Sequence, residues 1–175
     1  MNKIILVTGG ARSGKSAFAE KCTDFAAGKR AYIATAHITD EEMARRVKTH
    51  QGRRAGNGWA NIEEEYDPAA ALGQALGMDA VLVDSLSVWI NNLMFREPTF
   101  SEADMARETE RLITALKAFP GTAVLVIDEV GQGIVPVNEL ARRFRDCSGR
   151  CGQMIAATAD EVWYCVCGIP VKIKG

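Results

Sequence analysis

The sequence lacks a charge excess of either sign, with 21 Lys and Arg against 22 Asp and Glu for a formal net charge of -1. A general nucleic-acid binder normally carries a strong basic surplus, so no nucleic-acid partner is expected and any anion site must be local. It also lacks an apolar run near the roughly 18 residues of a membrane helix, so no membrane span is expected. The opening "MNKIILVTGG" has one lysine and a short apolar run ending in glycines, with no cleavage-type segment behind it. The expected location is therefore the cytoplasm. Five cysteines, an odd number without an export signal, do not make a disulfide framework. Nor is there an internal repeat, a low-complexity tract or a linker that would split the chain.

What is present is enough for one core. A chain of 175 residues with 47% hydrophobic content reads as a single domain, residues 1–175. Short continuous runs of Val, Ile and Leu recur at 3–8, 31–35, 80–84, 123–128 and 161–166, with helical patterns between them. Continuous rather than alternating runs suit strands covered on both faces, which favours the parallel α/β class. The stretch "SEADMARETERLITALKAF" opens with Ser101 and Asp104 in a capping-box-like arrangement. It places Met105, Thr109, Leu112, Ile113 and Leu116 on one face of a helix of about four turns. From Asn138 onward, Leu140, Phe144, Cys147, Cys151 and Met154 form the apolar stripe of another covering helix, with Arg142, Arg143 and Arg145 off it. The least regular region is 50–68, and a long irregular insertion in a compact domain is usually functional or mobile.

"GGARSGKS" fits the phosphate-loop pattern G-x-x-x-x-G-K-[ST], directly after the first apolar run and before a helical segment. Its residues are Gly9, Gly10, Ala11, Arg12, Ser13, Gly14, Lys15 and Ser16. The glycines let main-chain N–H groups curl around phosphate oxygens, Lys15 brings a charge to the β- and γ-phosphates, and the Ser16 hydroxyl suits magnesium. A nucleoside triphosphate is implied. Such loops need an acid at the end of another strand, and two candidates compete: Asp84 in "VLVDS", and Asp128 with Glu129 in "VLVIDEVG". With Asp128 and Glu129 the chain reads as an ordinary ATPase in which Glu129 polarises water; with Asp84, a transferase is as good a reading.

The stretch "ITDEEMARRVKTH" begins a helix well, since Thr39 and Glu42 fit a capping box and Asp40, Glu41 and Glu42 put negative charge in the first turn. On it Met43, Val47 and His50 follow i, i+4, i+7 and share one face. If helical geometry persisted through Gly52, Arg54 would continue that stripe with Arg46 and Arg53 flanking it. Neighbouring guanidinium groups disfavour protonation of an imidazole, so His50 should stay neutral and nucleophilic while the arginines attract phosphate. The bland alternative is a histidine among solvated arginines.

Taken in order, "ILVTGGARSGKS", "YIATA", "DEEMARRVKTHQGRR", "LVDSLSVWINNLM", "EVGQGIVP", "LARRFRDCSGRCGQ" and "ADEVW" span nearly the whole chain. Together they resemble the adenosylcobinamide kinase / adenosylcobinamide-phosphate guanylyltransferase family of cobalamin biosynthesis. The resemblance implies a P-loop NTPase-type (RecA-like) fold, a mainly parallel sheet flanked by helices. It implies phosphorylation of the aminopropanol hydroxyl of adenosylcobinamide by ATP or GTP. GMP then passes from GTP to adenosylcobinamide phosphate through a GMP-histidine, releasing pyrophosphate and giving adenosylcobinamide-GDP.

By resemblance the covalent histidine is His50, and His37 lies outside the matching segment. The implied GTP contacts fall on residues 9–16, on Ala34, Thr35 and Ala36, on Gln51, Gly52, Arg53 and Arg54, and on Glu63 and Asp84. Mg2+ is implied at Ser16 and Asp84, so the resemblance selects Asp84 over Asp128. It further implies a homotrimer. The chain departs from the family at Gln51, where Arg is common, at the loop before Glu63, one residue longer than usual, and at Asp128, where Asn is common. A plain P-loop kinase or ATPase, or a nucleotide-dependent switch that binds a protein partner, stays open beside this reading. The cysteines stay open too: Cys147 with Cys151 and Cys165 with Cys167 each share a face of their element, so a four-thiolate zinc site stands against simple burial. Cys22 reads as packing.

Overall fold

The structure, a computed structural model, describes residues 2–24, 28–36 and 58–175. Among them seven strands form one sheet: β1 (Lys3–Gly9), β2 (Arg30–Ala34), β3 (Trp59–Glu63), β4 (Ala80–Asp84), β5 (Thr122–Asp128), β6 (Glu161–Val166) and β7 (Ile169–Lys174). Their spatial order is β3-β2-β4-β5-β1-β6-β7, parallel throughout except for β7, which turns back antiparallel to β6. The central strands are the continuous apolar runs, and Ile4 to Val7, Ala80 to Val83 and Ala123 to Ile127 are all buried. That is the pattern of strands covered on both faces.

The cover is unequal. Helix α1 (Lys15–Asp24) lies on one face, where Ala19 and Cys22 pack with Ile5, Val7, Leu82, Val124 and Val126. The other face carries α2 (Pro68–Gln74), α3 (Leu86–Arg96), α4 (Glu102–Ala118) and α5 (Glu139–Thr158). Leu72, Trp89, Ile90, Leu112, Leu116, Cys151 and Ile155 from these helices close on Ile4, Leu6, Val83 and Leu125. Local chemistry starts the four helices of this second face. Asp67, Ser85 and Asn138 cap α2, α3 and α5 by accepting from the main-chain N–H three residues on. Ser101 and Asp104 form the full reciprocal capping box of α4, whose expected inner residues Met105, Thr109, Leu112 and Leu116 are buried while Ile113 is half-buried.

Two strands lie where no apolar run announces them. The polar "WANIE" of β3 falls inside the stretch expected to be irregular, and β7, "IPVKIK", carries a proline and two lysines. Both are edge strands, half-wetted, where proline and lysine are tolerated and the apolar signal is weak. Lys174 of β7 gives Nζ hydrogen bonds to the carbonyls of Ala156 and Ala157 at 2.8 and 2.9 Å, satisfying the C-terminal end of α5. The inner stripe of α5 also differs from expectation: Cys147, Cys151 and Ile155 are buried, Met154 is only half-buried and Leu140 is 41% exposed. The first two turns of α5 hold no buried residue, so Leu140 finds no core beneath it, and the four-residue step from Cys151 lands on Ile155.

The topology sets the place of the site. From β1 the chain passes over β5 and β4 to β2, and from β5 it passes over β1 to β6. The two crossovers run in opposite directions, by α1 on one face and by α5 on the other. The carboxyl ends of β1 and β5 therefore flank a crevice of the kind in which open α/β sheets bind ligands. Gly9 and Asp128 face each other there in register.

Candidate functional site

The end of β1 leads straight into the phosphate loop. Gly9 has φ 150°, and a Cβ on it would lie 2.5 Å from the carbonyl oxygen of Cys165, so only glycine fits. Ser13 N–H donates to Gly10 O at 3.2 Å and Phe18 N–H to Gly14 O at 3.0 Å, which winds the loop into α1. The loop is also held from outside. Glu129 N–H donates to Gly9 O at 3.0 Å, and Gly168, in the turn between β6 and β7, donates to Ser13 O at 2.9 Å. Gly14, with φ 92°, brings its Cα side against Gly168, which would sit 3.1 Å from an added Cβ.

Lys15 is buried, and its ammonium lies 2.5 Å from Asp128 Oδ1 and donates to Gly10 O at 3.2 Å. The Asp128 main chain is fixed by its N–H donating to Ser87 Oγ at 2.7 Å. Ser13 Oγ is buried with no hydrogen-bond partner among the described residues. A buried hydroxyl without a partner is costly, and this one lies against the Cα of Gly9 inside the loop.

The rest of the carboxyl edge is built from side chains. Thr35 Oγ1 donates to Ser85 O at 2.8 Å and accepts from Ser85 N–H at 3.0 Å, tying the ends of β2 and β4. Asn92, buried on α3, donates to Thr35 O at 2.8 Å and to Glu65 O at 3.0 Å. Asp84 ends β4 and accepts from the Tyr32 hydroxyl at 3.1 Å; Ala34 pairs in register with Asp84 on one side and Glu63 on the other. Glu63 is exposed.

Of the residues picked from sequence, those at 9–16, Ala34, Thr35, Ala36, Glu63 and Asp84 thus share one edge of the sheet. His50, Gln51, Gly52, Arg53 and Arg54 lie outside the described residues, as do His37 and the helix expected over 39–50. Tyr32, Ser87 and Asn92 lie within the segments that carry the resemblance but are not among the residues picked for the site, and Gly168 lies outside them; all four brace this edge.

Of the two competing acids, Asp128 already meets the charge of Lys15, and a carboxylate so neutralised attracts a metal ion less. Among the described residues no three His, Cys, Asp or Glu gather as a metal cluster. The Ser16 hydroxyl and the Asp84 carboxylate, both at this edge, are oxygen donors of the kind magnesium takes.

The cysteines divide between the two faces. Cys147 and Cys151 belong to the α5 face, Cys165 to the α1 face, and Cys167 is exposed in the turn after β6 with φ 52°. The sheet separates the pairs, so they do not converge on one ion. Burial raises the thiols of Cys22 and Cys147 to about 11 and that of Cys151 to about 12, which keeps them protonated and unlike metal-binding thiolates.

Comparison with known proteins places this geometry. The sequence profile of the family described as cobinamide kinase / cobinamide phosphate guanyltransferase matches residues 5–173. The bifunctional adenosylcobalamin biosynthesis protein CobU of Salmonella typhimurium is 44% identical over 183 residues, covering 98% of this chain and 99% of that protein. The bifunctional adenosylcobalamin biosynthesis protein CobP of Pseudomonas aeruginosa is 39% identical over 171 residues, covering 97% of this chain and 96% of that protein. Among solved structures, a KaiC-like protein from Pyrococcus horikoshii superposes with a TM-score of 0.58 at 15% identity, over 93% of this chain and 70% of that one. That likeness speaks for the fold alone.

Proposed function

Since this chain belongs to the cobinamide kinase / cobinamide phosphate guanyltransferase family, we propose that it carries both activities on one nucleotide-binding domain spanning residues 1–175, with the following roles for its residues. The first activity phosphorylates the hydroxyl of adenosylcobinamide with ATP or GTP; the second moves GMP from GTP onto the new phosphate to give adenosylcobinamide-GDP. The observation that carries this reading is the phosphate loop at the crevice between β1 and β5, with Lys15 aimed inward beside Asp128.

In both reactions the loop N–H groups of residues 9–16 and the Lys15 ammonium hold the triphosphate, Lys15 keeping its pair with Asp128 while its remaining N–H groups turn to phosphate oxygens. Ser16 and Asp84 would hold Mg2+, which draws charge from the phosphate oxygens when bound. Ala34, Thr35, Ala36, Gln51, Gly52 and Glu63 line the guanine nucleotide. For GMP transfer, neutral His50 attacks the α-phosphorus and pyrophosphate leaves; a phosphate oxygen of the acceptor then displaces the imidazole. Two steps at a positioned centre replace one encounter between two large anions, and Arg53 and Arg54 stabilise the charge that develops. The enzyme works as a homotrimer in the cytoplasm.

The test is covalent. Wild-type protein incubated with α-labelled GTP and Mg2+, then denatured, should keep an acid-labile, alkali-stable label that His50→Ala abolishes. An active wild type without label defeats the guanylyltransferase assignment and leaves a plain kinase or ATPase served by Asp128 and Glu129. Slow hydrolysis with nucleotide-dependent protein binding would instead mark a switch.

A further inference from the structure

We infer that the cavity between α5 and the sheet is the acceptor subsite of the kinase reaction: it takes the hydroxyl-bearing arm of the acceptor, and the Glu129 carboxylate receives the hydroxyl proton. This deepens the family reading above and rests on it. The cavity measures about 330 Å³, with an apolar floor of Leu6, Ile127 and Val162 and a wall formed by α5. Ligand pockets range upward from about 300 Å³, so this one suits a short chain rather than a macrocycle.

Two features of the wall point to a ligand. Ser148, 3% exposed, lines the cavity with its Oγ buried and without a hydrogen-bond partner among the described residues. Buried hydroxyls are nearly always paired, and this one stands unpaired within the wall. Gly149 and Gly152 also face the cavity, within a helix that glycine weakens. Neither has a positive φ, and an added Cβ would meet nothing within 4 Å at Gly149 and only Ile127 Cδ1, at 3.7 Å, at Gly152. Neighbouring side chains do not require these glycines; the space in front of them does.

The cavity and the phosphate loop share a rim. Asp128 and Glu129 line the cavity, while Asp128 pairs with Lys15 at 2.5 Å and Glu129 N–H bonds to Gly9 O at 3.0 Å. The phosphate loop runs into α1 on one face of the sheet and the cavity lies under α5 on the other, so donor phosphates and acceptor arm meet over these two residues. Asp128 is engaged by Lys15. Glu129 takes the Gly131 N–H on Oε1, and Oε2 has no hydrogen bond among the described residues. Arg145 of α5 donates to Gly131 O and ties this turn to the cavity wall.

The step balances. The acceptor hydroxyl oxygen bonds to the γ-phosphorus, the bond from that phosphorus to the β–γ bridging oxygen breaks, and the nucleoside diphosphate leaves with the electron pair. The hydroxyl proton passes to Glu129 and then to water.

The experiment measures phosphorylation of cobinamide by γ-labelled ATP, with the covalent GMP label from GTP as a check that the nucleotide site is intact. Glu129→Gln should lower kcat at least 100-fold with the acceptor KM within about twofold, the size of effect expected of a general base. Gly152→Leu should raise the acceptor KM at least tenfold while the ATP KM stays within about twofold. Should the leucine prevent folding, Gly149→Val reads the same wall, since an added side chain there meets nothing within 4 Å, and should raise the acceptor KM about fivefold. A kcat above a third of wild type in Glu129→Gln overturns the proton role. An unchanged acceptor KM in the wall variants overturns the subsite. Absence of both activities in the wild type would defeat the family reading instead.

Discussion

The two halves of the sheet's carboxyl edge are held by different means. Around β1 and β5 the main chain does most of the holding, with Glu129 bonded to Gly9, Gly168 bonded to Ser13 and glycines letting the segments touch, beside the side-chain contacts of Ser87 and Lys15 with Asp128. Around β2 and β4 side chains take over, with Thr35 on Ser85, Asn92 on Thr35 and Glu65, and Tyr32 on Asp84. The difference follows from what each half must offer. A phosphate cradle needs its N–H groups bare and its curvature fixed without side chains in the way. A half that positions individual side chains can be braced by others.

The comparison breaks most sharply at Gly9. Gly9→Ala puts a methyl where Cys165 O stands 2.5 Å away, at a φ of 150°. The expected result, read by calorimetry and by melting, is a loss of nucleotide affinity of about 100-fold or more, with strain of about 1–3 kcal/mol. Near-normal binding would show that the main-chain half is looser than its geometry states. Next comes Asn92→Leu, which leaves Thr35 O and Glu65 O without this donor. Each lost partner costs about 1–3 kcal/mol, and each kcal/mol lowers Tm by about 2–4 °C in a chain of this size. Triphosphate binding at the loop should survive that change, and its collapse would mean that the halves are one cooperative unit.

The smallest effect is one of pH. Glu161 anchors β1, β6 and β7 together: Lys3, with Nζ at 2.8 Å, chiefly lowers its carboxyl to about 2, helped by hydrogen bonds from Trp163 and Lys172. A folded-state value depressed below the ordinary 4.5 stabilises the fold above that pH, and the contribution is lost as pH falls toward about 2. Melting of Glu161→Gln should therefore be less steep in pH across that window than wild type. Parallel curves would sever this anchor from the stability of the phosphate-loop half.

The same contrast explains what could be read in advance. "GGARSGKS" is legible because phosphate chemistry needs those residue types in one short run, and β1, β4 and β5 are legible because burial on both faces leaves continuous apolar stretches. The bond between Thr35 and Ser85 joins residues 50 apart, and that from Asn92 to Thr35 spans 57. No local pattern marks either, since Thr and Asn are common and their partners are main-chain atoms. The edge strands hid for the opposite reason, because Lys172 and Lys174 beside water look like a loop. Asp84 and Asp128 look alike in pattern as acids at strand ends; the resemblance chooses Asp84, and in three dimensions the ion pair with Lys15 sets Asp128 apart.

The turn between β6 and β7 carries a practical consequence. Of the five cysteines, four are buried, and the exposed one, Cys167, stands next to the Gly168 that bonds to the phosphate loop. The molecule therefore comes with its own attachment point for a thiol-directed fluorophore. A dye there sits one residue from the contact with the cradle, so arrival and departure of nucleotide become optical signals in the natural sequence.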